Sequence, residues 1–353
     1  MQVGQHPDRR HIPLAPASAS DIKISLYLVG GVDVATSDQL IEALRAAGEG
    51  TRLRLLSLLS EGEHSVKDLT EILGQSQPRV SRHLKLLADA GLITRHAEGA
   101  WAYYGLAPHG VGGDLSRWLI TRLDPEDAER RRDLERLEAV RTAQQAQAAA
   151  YFATVAESWD LLRSLHVPEE AVEAAILSAV GEEPIALLLD LGTGTGRMLE
   201  LLAPRYRRGI GLDASREMIA VARSRLAAAG VTHAQIRLGD LADIDASFGP
   251  AELVIIHQVL HYFDDPGRVL AQARRALAPG GRLLIVDFAP HDLEFLRSHH
   301  AHRRLGLSDA QMGQWARAAG LRLADLQTFP PLHASEGLTV CLWQLADETE
   351  PLP

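Results

Sequence analysis

The sequence predicts an α/β fold in its carboxyl-terminal half, preceded by a smaller domain of helices that ends in a two-stranded β-ribbon. Three observations lead to this prediction. After Pro184, short and nearly all-apolar runs alternate with helical segments; from Ser37 to about Ala90 the apolar spacing is helical; and two β-prone runs follow. The length of 353 residues suits two or three domains.

Composition excludes several classes of protein. Hydrophobic residues make up 46% and charged residues 23%, which is typical of a folded globular chain. The one cysteine, Cys341, excludes a disulfide framework and any metal site built from several thiolates. No apolar run is long enough to span a membrane and no signal peptide is evident, so we expect a cytoplasmic protein without a membrane partner. The net charge of -10 argues against a surface that binds nucleic acid everywhere.

The smaller domain shows clear helix boundaries. Ser65 can cap a helix that Gly74 ends, and Pro78 fits the first turn of the next helix, which runs to about Ala90. Residues 92–95 and 101–106 then form the ribbon. We divide the chain into a poorly ordered extension (1–36), a helical domain with its ribbon (37–110), a charged helical connector that is a possible dimer helix (111–150), the α/β domain (151–347) and a tail (348–353).

The apolar runs of the α/β domain have the pattern of strands buried on both faces of a parallel sheet. Two late strands should add an antiparallel edge. The predicted strands are 186–191, 209–213, 235–240, 253–257, 282–288, 321–329 and 338–345.

A glycine-rich turn follows the first of these strands. The GxGxG spacing lets a ligand lie against bare backbone where a helix begins. Arg197 stands where a dinucleotide fingerprint has its third glycine, which disfavours NAD. An acid ends each of the first three strands, and the second and third of these acids can accept hydrogen bonds from ribose hydroxyls and an adenine amine. The residues are Gly192, Gly194, Gly196, Asp190, Asp213 and Asp240.

Together these residues resemble the class I S-adenosylmethionine-dependent methyltransferases over about residues 150–346. Residues 279–285 resemble that family's turn into its fifth strand, and 261–266 the segment after its fourth. The resemblance implies a Rossmann-like sheet that binds S-adenosylmethionine (SAM) or its product S-adenosylhomocysteine (SAH). It also implies that Asp190, Gly192, Gly194 and Gly196 surround the methionine part, that Asp213 holds ribose, that Met218 packs on adenine, and that Asp240 and Leu241 frame the adenine edge.

Several side chains could face a methyl acceptor. His257 and His261 are four residues apart at the end of the fourth strand, where they could act as base or donor or form part of the pocket wall. They could also begin a metal site, although no spacing fixes a third ligand and we assign no metal. The possible further ligands downstream are Asp287, His291, His299, His300 and His302.

Three aromatic residues before the sheet could be core or could close over the cofactor. They are Tyr151, Phe152 and Trp159.

The helix that has Pro78 in its first turn has the features of a DNA-reading helix. Segment 75–95 carries four basic residues against one acid. Val80, Leu84 and Leu87 form a buried stripe, which leaves base-reading and phosphate-pairing side chains outside. The candidates for DNA contacts are Gln77, Arg79, Ser81, Arg82, Lys85 and, on the ribbon, Arg95.

Residues 40–106 resemble the bacterial ArsR-type winged helix-turn-helix regulators. Segments 48–56 and 81–87 carry the match. The resemblance implies a homodimer that binds a double-stranded DNA operator. Gly50 stands where a helix-starting proline is common in that family, and the cysteines of its thiolate metal sites are absent.

Two functions remain open. The chain could be a DNA-binding regulator whose methyltransferase-like domain senses SAM or SAH, similar to SAH-responsive regulators of the methionine cycle. Alternatively it could be an active SAM-dependent methyltransferase of a small molecule with an accessory winged helix. An intact cofactor site does not prove turnover, because methyl transfer needs chiefly correct placement of the acceptor. Arsenite methylation is disfavoured, since it needs several cysteines.

Overall fold

The amino-terminal domain is a winged helix-turn-helix. A computed structural model describes residues 35–98, 101–156, 169–241, 244, 248–331 and 337–347. Within this domain β1, β3 and β2 form an antiparallel sheet in that order. The elements are α1 Ser37–Ala47, α2 Gly50–Leu59, β1 His64–Ser65, α3 Val66–Leu73, α4 Gln77–Asp89, β2 Ile93–Glu98 and β3 Trp101–Leu106.

The predicted helix boundaries of this domain are confirmed. Ser65 Oγ accepts the Asp68 N–H at 3.2 Å, which caps α3. Gly74 ends the helix in the left-handed region with φ of 62°. Pro78 lies in the first turn of α4, and Val80, Leu84 and Leu87 are fully buried beneath it. The tip of the wing, residues 99–100, lies outside the described residues, as do 1–34 and 348–353.

The charged connector differs from the prediction of one continuous helical stretch. It forms α5 Gly110–Thr121 and α6 Ala128–Val155, and the chain between them contains Pro125. Asp127 restarts the helix by accepting the N–H groups of Glu129 and Arg130. The inner face of α6 joins the core of the winged helix, and Arg54 of α2 pairs with Asp133 through two hydrogen bonds of 2.6 and 2.7 Å.

The carboxyl-terminal domain is a seven-stranded sheet with the strand order β6-β5-β4-β7-β8-β10-β9. The first five strands are parallel and β10 runs antiparallel to both neighbours, which confirms the predicted edge. The strands are β4 Ile185–Leu191, β5 Tyr206–Asp213, β6 Ala234–Leu238, β7 Ala251–His257, β8 Leu277–Phe288, β9 Leu321–Phe329 and β10 Val340–Asp347.

Helices cover both faces of this sheet and enclose two apolar cores. The class I methyltransferase-like, Rossmann-like α/β architecture is therefore confirmed. Several strand ends differ from the prediction by two to five residues, and one of them bears on the site: β6 stops at Leu238 rather than at residue 240, so Asp240 lies two residues beyond it. The helices are α7 Glu169–Val180, α8 Arg197–Leu201, α9 Arg216–Ala228, α10 Pro266–Ala276, α11 Phe295–His299 and α12 Asp309–Ala318. Among the described residues, no helix has the length and apolar character needed to cross a bilayer.

A buried arginine joins the two domains. The Arg304 side chain is 0% exposed, and it pairs with Glu63 and with Glu98 of the wing at 2.7 Å each. Its guanidinium also lies 4.1 Å from the ring centroid of Tyr103 on β3. Burial alone lowers the pKa of Arg304, but the two glutamates raise it overall, so the cation stays charged.

We predict that Arg304→Ala strongly destabilises the protein. It leaves Glu63 as a buried charge without its cation and leaves Glu98 with only the longer pair to Arg297 at 3.6 Å. Loss of one partner of a buried ion pair typically costs about 3 to 5 kcal/mol. Urea unfolding monitored by circular dichroism measures this loss against the exposed control Arg275→Ala. Equal midpoints for the two variants would contradict the structural role of Arg304.

Candidate functional site

The glycine turn after β4 forms the floor of a large cavity. Gly192 and Gly194 have φ values of 75° and 51°, a left-handed backbone that favours glycine. A Cβ on Gly192 would lie 2.5 Å from a methyl group of Val259, so the turn also needs glycine for space. The backbone is therefore bare at the beginning of α8, as a bound ligand requires.

Asp213, at the end of β5, fixes this turn. Its Oδ2 accepts the Gly194 N–H and its Oδ1 accepts the Ser215 N–H, both at 2.8 Å. Burial raises its pKa, and these backbone hydrogen bonds act in the opposite direction. The carboxylate thus connects the glycine turn to the beginning of α9 at the edge of the cavity.

Asp190 is the most deeply buried acid of the site. Its Oδ2 accepts a hydrogen bond from Thr193 Oγ1 at 2.6 Å, whereas Oδ1 has no partner in the structure. Burial raises the pKa of Asp190 to about 7. An unpartnered acceptor beside the cavity suits a ligand that carries an amino group.

The cavity has a volume of about 710 Å³, which falls in the range of small-molecule sites. All but one of the predicted cofactor residues line it: Asp190, Gly192, Gly194, Asp213, Met218, Asp240 and Leu241. The exception is Gly196, which packs against Ala222 of α9.

The amino-terminal domain and the connector helix α6 form the opposite wall of the cavity. Glu63 lines it from just before β1, His64 from β1 and Asp68 from the first turn of α3, while Gln144 and Phe152 line it from α6. Sequence reasoning missed this wall except for Phe152. No local signal in the sequence could have found it, because these residues reach the cavity only through the packing of one domain on the other.

The acceptor-side candidates do not all meet at the cavity. His257, at the end of β7, lines it. His261 does not: it lies in a buried turn, where its Nδ1 is 2.7 Å from Asp287 Oδ1 and its ring contacts His302. Tyr151 instead hydrogen-bonds His300.

Trp159 lies outside the described residues. The proposal that the histidines begin a metal site gains no support, since the described part of the chain holds no group of three or more His, Cys, Asp or Glu side chains placed to bind a metal.

The predicted DNA-contacting side chains of α4 lie on its outer face. Gln77, Arg79 and Arg82 are exposed and Ser81 is partly exposed. Lys85 is exposed as well, but it pairs with Asp89 one turn later at 2.9 Å. Arg95 is exposed on β2 of the wing. The two arginines of α4 are thus better placed than Lys85 to reach a partner.

Comparisons with known proteins agree with both halves of this geometry. The family model described as "Methyltransferase domain" matches residues 189–285, and "Bacterial regulatory protein, arsR family" matches residues 49–95. The trans-aconitate 2-methyltransferase of Methylobacterium nodulans is 32% identical over 192 residues, 53% of this chain and 71% of that protein. The arsenical resistance operon repressor of Bacillus subtilis is 40% identical over 79 residues, 22% of this chain and 75% of the repressor.

The chain belongs to the ArsR and methyltransferase-domain families. This ArsR–methyltransferase fusion also resembles an uncharacterised 37.1 kDa protein of transposon TN4556 from Streptomyces fradiae, at 33% identity over 165 residues. That match covers 42% of the fusion and 47% of the transposon protein. The fusion therefore spans about half the length of this relative.

The raised pKa of Asp190 predicts a pH-dependent stability. Its folded value of about 7 lies above the ordinary 3.8, so the folded state holds more protons between these values and the contribution of Asp190 to stability falls as the pH rises from about 4 to about 7. Asp190→Asn removes this contribution. As the pH rises through that window, we expect the free energy of unfolding of the variant to increase relative to that of the wild type, by about 4 kcal/mol at most.

Denaturant unfolding at several pH values measures this difference. His64 and His291, whose lowered pKa values give the opposite slope, are common to both proteins and cancel. Glu183→Gln, at an exposed acid, is the matched control and should follow the wild type. Parallel profiles of unfolding free energy against pH for Asp190→Asn and wild type would contradict the raised pKa of Asp190.

Proposed function

We propose that the fusion is a DNA-binding transcriptional regulator whose methyltransferase domain binds SAM or SAH as effector. One observation carries the proposal: the nucleoside-type cavity lies between the domains, with Asp190 and Asp213 on one side and His64 and Asp68 of the helix-turn-helix domain on the other. A ligand in this cavity contacts the DNA-binding domain directly, so its binding energy can differ between two arrangements of the domains.

The residues present fit a SAM-type nucleoside. The bare glycine turn accommodates the methionine part, and the unpartnered Oδ1 of Asp190 suits its amino group. Asp213 at the end of β5 is positioned for ribose hydroxyls, while Met218 and Leu241 provide apolar contacts for adenine. By the resemblance to SAH-responsive regulators, we expect SAH rather than SAM to be the effector that releases the operator.

We further propose a homodimer on double-stranded DNA, acting in the cytoplasm. Four large apolar side chains are 42 to 55% exposed on the neighbouring helices α1 and α5, where a second copy could cover them. Paired α4 helices would then read half-sites about one helical turn apart. The side chains are Leu40, Ile41, Leu44 and Trp118.

The alternative is an active methyltransferase of a small acceptor, and His257 is the observation that favours it, because it lines the cavity where the parallel strands end. A turnover assay with labelled SAM separates the alternatives when it is run beside the binding measurements below. Methyl transfer to a small acceptor, without any effect of nucleoside on DNA binding, would favour the enzyme.

We predict that Asp213→Ala weakens SAH binding by about 1 to 3 kcal/mol, roughly tenfold to a hundredfold in Kd, because buried hydroxyls lose their acceptor and the turn loses an anchor. Isothermal titration calorimetry measures the change. Glu183→Ala, at an exposed acid just before β4, is the control and should bind like the wild type. Unchanged affinity of Asp213→Ala would remove the ribose assignment.

For DNA, we expect Arg82→Ala to weaken operator binding by about 1 to 3 kcal/mol and to relax specificity if Arg82 reads a base. A phosphate contact would instead weaken binding to all sequences equally. Gel shifts on the promoter of the protein's own gene compare this variant with Arg275→Ala, on the other domain. Failure of the wild type to bind at low salt, with either nucleoside, would contradict the regulator.

A further inference from the structure

One arginine of the methyltransferase domain is shared between carboxylates on the two sides of the domain boundary. Arg303 donates to Asp264 through Nε and Nη2, at 2.9 and 2.8 Å. The same Nη2 lies 3.4 and 3.3 Å from the two carboxylate oxygens of Asp68, in the first turn of α3. We call Asp264, Arg303 and Asp68 the interdomain clasp.

The clasp is largely shielded from solvent. The side chains of Asp68, Asp264 and Arg303 are 5, 12 and 20% exposed. Water therefore screens the pairing weakly, and bond geometry decides how tightly each acid is held. Asp264 is held by two short bonds from two nitrogens, whereas both bonds to Asp68 are long and share one donor. The Asp68 side of the clasp is thus the weaker side.

Asp68 can leave Arg303 without loss of its helix. Ser65 Oγ donates to Asp68 Oδ2 at 2.6 Å, and Gln144 Nε2 donates to Oδ1 at 3.1 Å. Both of these partners lie outside the methyltransferase domain, and Ser65 still caps α3. Release from Arg303 therefore leaves no buried acid without a hydrogen-bond partner.

The rest of this interface provides a fixed point about which α3 can move. The Arg303 N–H donates to the His261 carbonyl at 2.9 Å, which holds its backbone on the methyltransferase side. The next residue, Arg304, holds Glu63 and Glu98 in a separate, fully buried pairing. Among the described residues, the clasp supplies the only ion pair between α3 and the methyltransferase domain.

The clasp also meets the cavity. Asp68 and Asp264 both line it. Arg141 and Arg268 line it too, and neither pairs with a carboxylate in the part of the chain that the structure describes. Charges or donors that an occupant brings to this wall compete with Arg303 for its acids. Asp68 responds first, because it is held less tightly.

We propose that the clasp is a ligand-sensitive device that sets the position of the helix-turn-helix. An occupied cavity releases Asp68 from Arg303, and α3 then turns about Arg304 together with α4, which packs on it. Arg303 is a positioning residue, since it is not among the residues that line the cavity. The effect on DNA rests on the proposed function, whereas the movement of α3 is testable without DNA.

Distances between spin labels, measured by double electron–electron resonance, test the movement. Labels are attached through Glu71→Cys on α3 and Arg275→Cys on α10, both at exposed positions, while Cys341 is buried and stays unlabelled. We expect one main distance in nucleoside-free protein. Asp68→Asn should add a second distance, because a neutral amide binds Arg303 more weakly. Saturating SAH should produce the same second distance in the wild type.

Asp133→Asn is the matched control. The Asp133 side chain is 4% exposed and binds Arg54 at 2.6 Å, but this pair joins α2 to α6 and does not reach the methyltransferase domain. It should keep the single distance. Arg303→Lys is the second test variant, in case Asp68→Asn does not fold. An ammonium keeps the charge but cannot hold both acids with the same geometry, so the second distance should appear again.

Operator binding gives a second readout. In the wild type, saturating SAH should change operator affinity by roughly 5- to 150-fold. When a substitution has already released the clasp, SAH has less left to change, and the factor should fall below about 3-fold. Asp133→Asn should keep the wild-type factor. Saturating SAH in every titration keeps changes of nucleoside affinity out of this ratio.

Two results would overturn the proposal: an unchanged single distance in Asp68→Asn and Arg303→Lys, or an unchanged distance in wild type saturated with SAH. Labels that move with SAH while operator affinity stays constant would contradict the proposed function and leave the clasp standing. If calorimetry shows that SAH does not bind, the proposed function fails, and the distances in the two variants decide the clasp by themselves.

Discussion

The arrangement of the two domains depends on the burial of Arg304. A guanidinium with no exposed surface is tolerated because Glu63, Glu98 and the ring of Tyr103 surround it and because it also donates to backbone carbonyls, including that of Asp264. The wing and β1 are thereby held against the methyltransferase sheet. This ion pair helps to position the second wall of the cavity, since Glu63 and the neighbouring His64 both line it.

The same segment connects the cavity to the wing. The N–H groups of Arg303 and Arg304 both donate to the His261 carbonyl, at 2.9 and 3.0 Å, and the chain just after His261 lines the cavity. Tyr103 on β3 donates to the Arg303 carbonyl. Two successive hydrogen bonds, from Arg303 to His261 and from Tyr103 to Arg303, therefore connect the wing to the chain that a ligand in the cavity contacts. This physical continuity, rather than the charged connector alone, is our basis for coupling nucleoside binding to DNA binding.

Local patterns predicted most of the fold because each depends on neighbours in sequence. The Ser65 cap, the Gly74 stop and the apolar strand runs are of this kind, and so is the glycine turn with Asp190 and Asp213. The connector was predicted as one stretch because its charges alternate throughout, although Pro125 interrupts it. The position of His261 could not be predicted for a different reason: only the folded chain brings Asp287 to its ring. The interdomain wall arises from long-range packing, which periodicity does not encode.

The most direct test of the account is operator affinity, measured by fluorescence anisotropy on the full-length protein without nucleoside, with SAM and with SAH. The account predicts that saturating SAH lowers operator affinity by roughly 5- to 150-fold, and that operator DNA lowers SAH affinity by the same factor, as linkage requires. A ligand with equal affinity for both domain arrangements does not change their populations and therefore leaves the operator affinity unchanged. Three identical curves, from protein that binds both operator and SAH, would contradict the claim that the cavity controls the DNA-binding domain.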